Sequence, residues 1–244
     1  MQATPTRLLY HEDSYLSTFD AHVIAVEDRA VALNQTAFYP GGGGQMADHG
    51  ALVVAGRRLP LASVAKRDDI VWHTLAEDAG AAPAVGEKVS GEVDWTFRYR
   101  MMRTHTALHM LCGIIFNDFG AQVTGGQMYS DRARMDFSTD TFTQDWVRDI
   151  ELRVNEAVQA NHAVKVYTLP REQAFEIPDL IRTKINLLPP DITTIRIVEI
   201  VGLDLQADGG THVHNTSEVK GIKVVKTENK GKQNKRMEIA LVDE

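Results

Sequence analysis

Apolar positions follow two different patterns along this chain, and the change comes near residue 94. Before it, short apolar runs recur at residues 22–26, 30–33, 51–54, 70–75 and 88–93. Turn-like stretches separate them: Glu27-Asp28-Arg29, the four glycines at 41–44, and residues 79–83, which end in Pro83. Short β-prone runs bounded by such residues read as strands, and several in succession predict a small β-barrel.

After residue 94 the period lengthens. Residues 98–118 predict a helix, with no Gly or Pro between Arg98 and Gly113. Residues 143–161 predict a second helix, because Trp146, Ile150, Val154 and Ala157 recur at helical spacing. Runs at 164–169, 195–201, 222–226 and 237–242 read as strands. The expectation is an α+β chain: a β-barrel domain over residues 1–93, then an α+β domain over 94–244 with two helices against a largely antiparallel sheet. No internal repeat or low-complexity segment interrupts this plan.

Composition changes the picture little. Hydrophobic content of 43% and charged content of 24% are ordinary for a globular protein. No apolar run approaches the roughly 20 residues of a membrane-spanning helix. The first seven residues lack a basic stretch followed by an apolar one, so no secretory signal is expected. A single cysteine, Cys112, rules out an intrachain disulfide and fits a reducing compartment. These readings predict a cytoplasmic protein with no membrane partner. Net charge is −7, which argues against a nucleic-acid partner, but the charge is unevenly spread. Residues 1–98 hold 8 Lys/Arg against 13 Asp/Glu. Residues 219–236 hold Lys220, Lys223, Lys226, Lys230, Lys232, Lys235 and Arg236 against Glu228 alone. That segment is either a phosphate-binding face or a solvated hairpin tip.

Candidate chemistry centres on two pieces. His105 and His109 are four apart on the first helix, so both imidazoles share one face. About a hundred residues later comes Asp208-Gly209-Gly210-Thr211-His212. Its glycines permit a tight turn that brings Asp208 and His212 toward one point. His105, His109 and His212 with a fourth donor from Asp208 or Cys112 would suit a tetrahedral metal site. The alternatives are buried imidazoles and, for Cys112, a small core residue. If residues 211–215 form a strand, His212 and His214 share a face. Residues 41–44 permit close approach to a ligand, but no Gly-Lys-Ser/Thr follows, so this is not a P-loop.

Together these elements resemble the free-standing alanyl-tRNA editing proteins, often called AlaX, and the editing domain of alanyl-tRNA synthetase. The resemblance lies in residues 34–45, Val93-Asp94-Trp95, Arg98, Met102-Arg103-Thr104-His105-Thr106-Ala107-Leu108-His109, residues 131–137, Gly209-Gly210-Thr211-His212-Val213, Glu218 and the basic stretch 230–236. It implies a trans-acting, ATP-independent hydrolase that deacylates mischarged tRNA(Ala), seryl first and glycyl as a possibility. It also implies one Zn²⁺ per chain held by His105, His109, Asp208 and His212. Asp208 stands where the family usually has cysteine, so the donor set is harder, and Cys112 is the alternative fourth ligand. Thr36 and Gln45 become the catalytic-site candidates. Thr36 is nominated by chemistry as well, because a hydroxyl can pair with a serine side chain and not with alanine. Gly43, Gly44, Lys230, Lys232 and Arg236 become candidate tRNA contacts. The competing readings are a non-catalytic zinc-containing tRNA-binding module and a metal-dependent esterase for small substrates. The chain could act as monomer or homodimer.

Overall fold

The computed structural model describes residues 4–140, 143–185, 188, 190 and 192–242. The start of the segment read for a secretory signal, residues 1–3, lies outside them. Two compact units emerge, Met1–Met101 and Met102–Glu244.

In the first unit the elements are β1 (Arg7–Leu8), α1 (Leu9–Glu12), β2 (Thr18–Glu27), β3 (Ala30–Leu33), β4 (Gln35–Thr36), β5 (Gly50–Val54), β6 (Arg57–Arg67), β7 (Ile70–Leu75) and β8 (Lys88–Val93). Six of these strands close a barrel in the order β2-β3-β7-β6-β5-β8, with every pairing antiparallel. Strand alternation fills it: Phe19, Ala21 and Val23 point inward from β2, and Val89 and Val93 from β8. The predicted barrel is therefore present, but β6 was not foreseen. Its eleven residues bury only Leu59 and Val64. They also carry Pro60 and a register shift between Leu61 and Ser63, which breaks the two-residue rhythm.

Helix α2 (Trp95–Phe119) starts in the first unit and continues into the second. The second unit adds β9 (Val123–Met128), β10 (Ala133–Phe137), α3 (Gln144–Gln159), β11 (Val164–Pro170), α4 (Arg171–Ala174), β12 (Thr194–Ile200), β13 (Asp204–Ala207), β14 (Ile222–Gly231) and β15 (Asn234–Leu241). Two antiparallel sheets result, β14-β15-β10-β9 and β11-β12-β13. Helix α3 begins at its Thr143 cap, whose hydroxyl accepts the Trp146 N–H, and it buries Ile150, Val154, Ala157 and Val158. The α+β class thus holds, while β9, β10 and β13 were not anticipated. Gly125 and Gly126 dilute the first, and four residues are too few to show a period in the last.

A buried ion pair organises the first unit. The side chains of Arg98 and Asp48 are both 0% exposed. The Arg98 guanidinium donates Nε to Asp48 Oδ1 at 2.9 Å, Nη1 to the Ser14 carbonyl at 2.8 Å and Nη2 to the Ala37 carbonyl at 2.5 Å. Asp48 in turn accepts the Tyr39 N–H at 2.6 Å. These bonds fasten both ends of the glycine-containing loop to the start of α2. Breaking one partner strands the other charge in the core, which costs about 3–5 kcal/mol. Arg98→Met should therefore lower the urea midpoint sharply, and Arg58→Met, which removes an exposed pair with Glu92, should change the unfolding free energy by about 1 kcal/mol or less in the same melts.

Candidate metal centre

The pitch of α2 sets the geometry. Positions four apart differ by about 40° around a helix, so His105 and His109 project from one face. The Asp208 end of the site comes from the loop after β13. Residues 211–213 have no regular structure, so the histidine-x-histidine strand pairing does not form, and His214 is exposed. Asp208 accepts the Gly210 N–H two residues on, which folds the loop back so that His212 faces α2.

One donor atom from each of His105, His109, Asp208 and His212 lies within 4.8 Å of all the others. The ring centroids of His105 and His212 are 4.3 Å apart, and His109 is 4.7 Å from His212. His105 Nε2 is 3.4 Å from Asp208 Oδ1, His212 Nε2 is 3.3 Å from Asp208 Oδ2, and His109 Nε2 is 3.8 Å from Asp208 Oδ1. All three Nε2 atoms therefore face the carboxylate. Behind the rings, His109 Nδ1 lies 3.0 Å from Asp204 Oδ2, and His212 Nδ1 lies 3.2 Å from the Thr106 hydroxyl. Three imidazoles with Nε2 turned inward, those of His109 and His212 held from behind at Nδ1, plus one carboxylate, fit the donor set of a tetrahedral zinc ion.

The electrostatics are those of a desolvated cluster. Burial pushes His105 and His212 below the ordinary histidine range, His212 well below it, with His105 adding to the effect. Burial also opposes charge on His109, but hydrogen bonds to Asp204 and Asp208 outweigh it and raise that imidazole to about 9. Burial would raise Asp208 too, yet the surrounding imidazoles, His105 foremost, hold it well below the usual carboxylate range. Cys112 stands apart from the four. It is 1% exposed, and burial, with Asp204 nearby, pushes its thiol up and keeps it protonated.

The remaining sequence candidates are distributed as follows. Thr36 and Gln45 are both buried in the first unit. His73, which the sequence reading missed, lies 2.9 Å from the Thr36 hydroxyl through Nε2 and 3.0 Å from the Val31 carbonyl through Nδ1. A carbonyl only accepts, so Nδ1 carries the proton. Burial drives the His73 pKa down to about 4, so the ring is neutral and Nε2 accepts from Thr36. The Thr36 oxygen also accepts the Phe38 N–H at 3.1 Å, leaving one lone pair for anything else. Gly43 and Gly44 adopt φ of 56° and 87° in a tight turn closed by bonds between Gly42 and Gln45.

The basic segment divides into two sets. Lys220, Lys223, Lys226, Lys230 and Lys232 are exposed. Lys235 is buried and donates to Asn229, Gly231 and Lys232, closing the hairpin tip. Arg236 grips Asp136 through two bonds of 2.7 and 2.9 Å. Lys226 and Lys230 both approach Glu228.

Comparison with known proteins shows the family to which the chain is related. A model described as the threonyl and alanyl tRNA synthetase second additional domain matches residues 195–238, and one described as class II (A) tRNA synthetases matches residues 11–97. The alanyl-tRNA editing protein AlaX-M of Methanosarcina acetivorans is 40% identical over 98% of this chain and 100% of its own length. The chain belongs to the alanyl-tRNA editing protein family. AlaX-M of Saccharolobus solfataricus is 41% identical over 95% of the chain and 97% of the relative. An alanine–tRNA ligase from Ignicoccus hospitalis is 37% identical over 91% of the chain, which corresponds to 24% of that longer protein.

The buried neutral His73 makes a pH prediction. Its folded pKa lies below the unfolded value near 6.5, so the unfolded state takes up the proton first. Its contribution to stability is complete above about pH 6.5 and falls away toward pH 4, by about 3 kcal/mol. Urea melts across that window should show a shallower loss for His73→Gln than for the wild type.

Proposed function

We propose that this enzyme hydrolyses the ester linking a wrong amino acid, serine foremost, to the 3′ end of tRNA(Ala), with a Zn²⁺ ion held by His105, His109, Asp208 and His212. It is an aminoacyl-tRNA deacylase by family, acting in trans on tRNA charged elsewhere. The observation that carries the reading is the convergence of three Nε2 atoms and one carboxylate in a chain of this family. A synthetase pocket built for alanine cannot strongly reject close analogues by binding, so a separate hydrolytic sieve is needed.

Bound zinc would supply positive charge to a water or to the substrate's amino group. The protein's own residues do the rest. Asp208 spreads negative charge among the three imidazoles and lowers the cost of a cation there. His105 and His212, kept neutral by burial, offer lone pairs at neutral pH without first losing a proton. Thr36 provides selectivity: with its proton committed to His73, it accepts a hydrogen bond from a serine hydroxyl, which alanine lacks. Gly43, Gly44 and Gln45 border the 3′ end, and the exposed Lys230 and Lys232 meet phosphates. Arg236 belongs to that face but is already engaged by Asp136.

Deacylation of Ser-tRNA(Ala) by the wild type, with a fall of about two orders of magnitude or more in His105→Ala, is the expected result. Activity on small seryl esters equal to that on charged tRNA would favour the small-substrate esterase, and zinc-dependent tRNA binding without turnover would favour a binding module. Thr36→Val should narrow the preference for Ser- over Ala-tRNA(Ala) by about 10- to 100-fold. An unchanged ratio removes Thr36 from the selectivity account.

A further inference from the structure

We infer that Asp204 is the positioning residue of the metal centre: its carboxylate holds the Nδ1–H of His109 and thereby turns Nε2 toward His105, His212 and Asp208. The inference rests on the zinc reading above and adds a residue that lies outside the four donors.

Asp204 opens β13, and its side chain is 0% exposed. Oδ2 lies 3.0 Å from His109 Nδ1 and accepts Gln206 Nε2 at 2.7 Å. Gln206 is two residues along the same strand, so both side chains leave one face. The two nitrogens of His109 therefore address different carboxylates, Asp204 behind the ring and Asp208 in front of it. A neutral imidazole donates at one nitrogen and offers a lone pair at the other. An acceptor fixed behind Nδ1 selects the tautomer whose lone pair points into the site.

An alternative role for Asp204 is a structural ion pair with Arg182. The geometry speaks against that as its main task. Arg182 Nε is 3.6 Å from Asp204 Oδ1, and neither atom has a hydrogen-bond partner among the described residues. The guanidinium instead lies 3.8 Å above the Phe116 ring. The well-formed bonds of Asp204 go to His109 and to Gln206.

Helix α2 is shaped to admit this carboxylate. Gly113 follows His109 by one turn, and a Cβ there would lie 2.7 Å from the Leu203 carbonyl oxygen and 2.8 Å from Asp204 Cβ. Glycine is disfavoured inside helices, so its presence at the point of closest approach has a packing cause. One turn further, Asn117 Nδ2 donates to the same Leu203 carbonyl at 3.0 Å. His109, Gly113 and Asn117, each four residues apart, all meet the turn that presents Asp204.

The test is zinc affinity of the full-length chain by chelator competition, with Co²⁺ absorption spectra as a second readout. Asp204→Asn keeps an acceptor and loses the charge, and should weaken binding about tenfold. Asp204→Leu loses both and should weaken it about 100-fold. Gly113→Ala touches no donor atom but displaces the turn, and should weaken binding and alter the Co²⁺ spectrum; it decides the matter if the Asp204 variants do not fold. A purely structural role would lower the stability of the metal-free protein and leave affinity and spectrum alone. Wild-type affinity in folded Asp204→Leu or Gly113→Ala, alongside loss of zinc in His109→Ala, would overturn the inference and spare the zinc reading. A wild type that binds no zinc overturns both.

Discussion

The second unit is arranged around one desolvation problem: three buried imidazoles and a half-buried carboxylate place one donor atom each within 4.8 Å of one another. Polar groups taken out of water are costly unless each is paired. Asp208 is met by the Gly210 N–H, His109 by Asp204 and His212 by Thr106. Each partner arrives on a different piece of chain: α2, the turn into β13 and the loop beyond it. Shifting any of these pieces breaks a bond in the cluster, so the site joins the sheet β11-β12-β13 to helix α2.

The first unit applies the same rule to a different end. Arg98 and Asp48 satisfy each other and the backbone of Ser14, Ala37 and Tyr39. His73 and Thr36 do likewise inside the barrel. Both sets tie down the segment that bears the four glycines, whose positive φ values would otherwise leave it with much freedom to lose. The residues proposed for substrate selection are thus rigid before any substrate arrives, which reduces the ordering cost of binding.

Much of the fold was legible. The barrel strands with clean alternation, such as β2 and β8, and the amphipathic α3 follow from periodicity alone. β6 was hidden because a strand rich in charge, with a proline and a bulge, keeps no two-residue rhythm. The site was half legible. His105 and His109 announce themselves by spacing, and Gly209-Gly210 mark the turn that brings Asp208 to His212. Asp204, Thr106 and His73 gave no such signal, because a residue whose work is to hold another residue has no fixed distance from it in sequence. The lysine-rich segment shows the opposite case: its composition suggests one uniform cationic face, but Lys235 and Arg236 spend their charge within the protein.

What the sequence determined by itself was local: the period of each element, the helical pairing of two histidines, the glycines that permit a turn. These depend on chain geometry over a few residues. Only the tertiary structure decided that Asp208 rather than Cys112 stands with the three histidines, and that Asp204 stands behind one of them. Cys112 is only three residues from His109, yet it faces a dry environment that keeps its thiol protonated. Asp208 comes from 99 residues away and arrives because β12, β13 and a loop turned by two glycines deliver it. Which donor reaches a site is set by the packing of whole elements, and that sum of long-range contacts is not written in any one stretch of the chain.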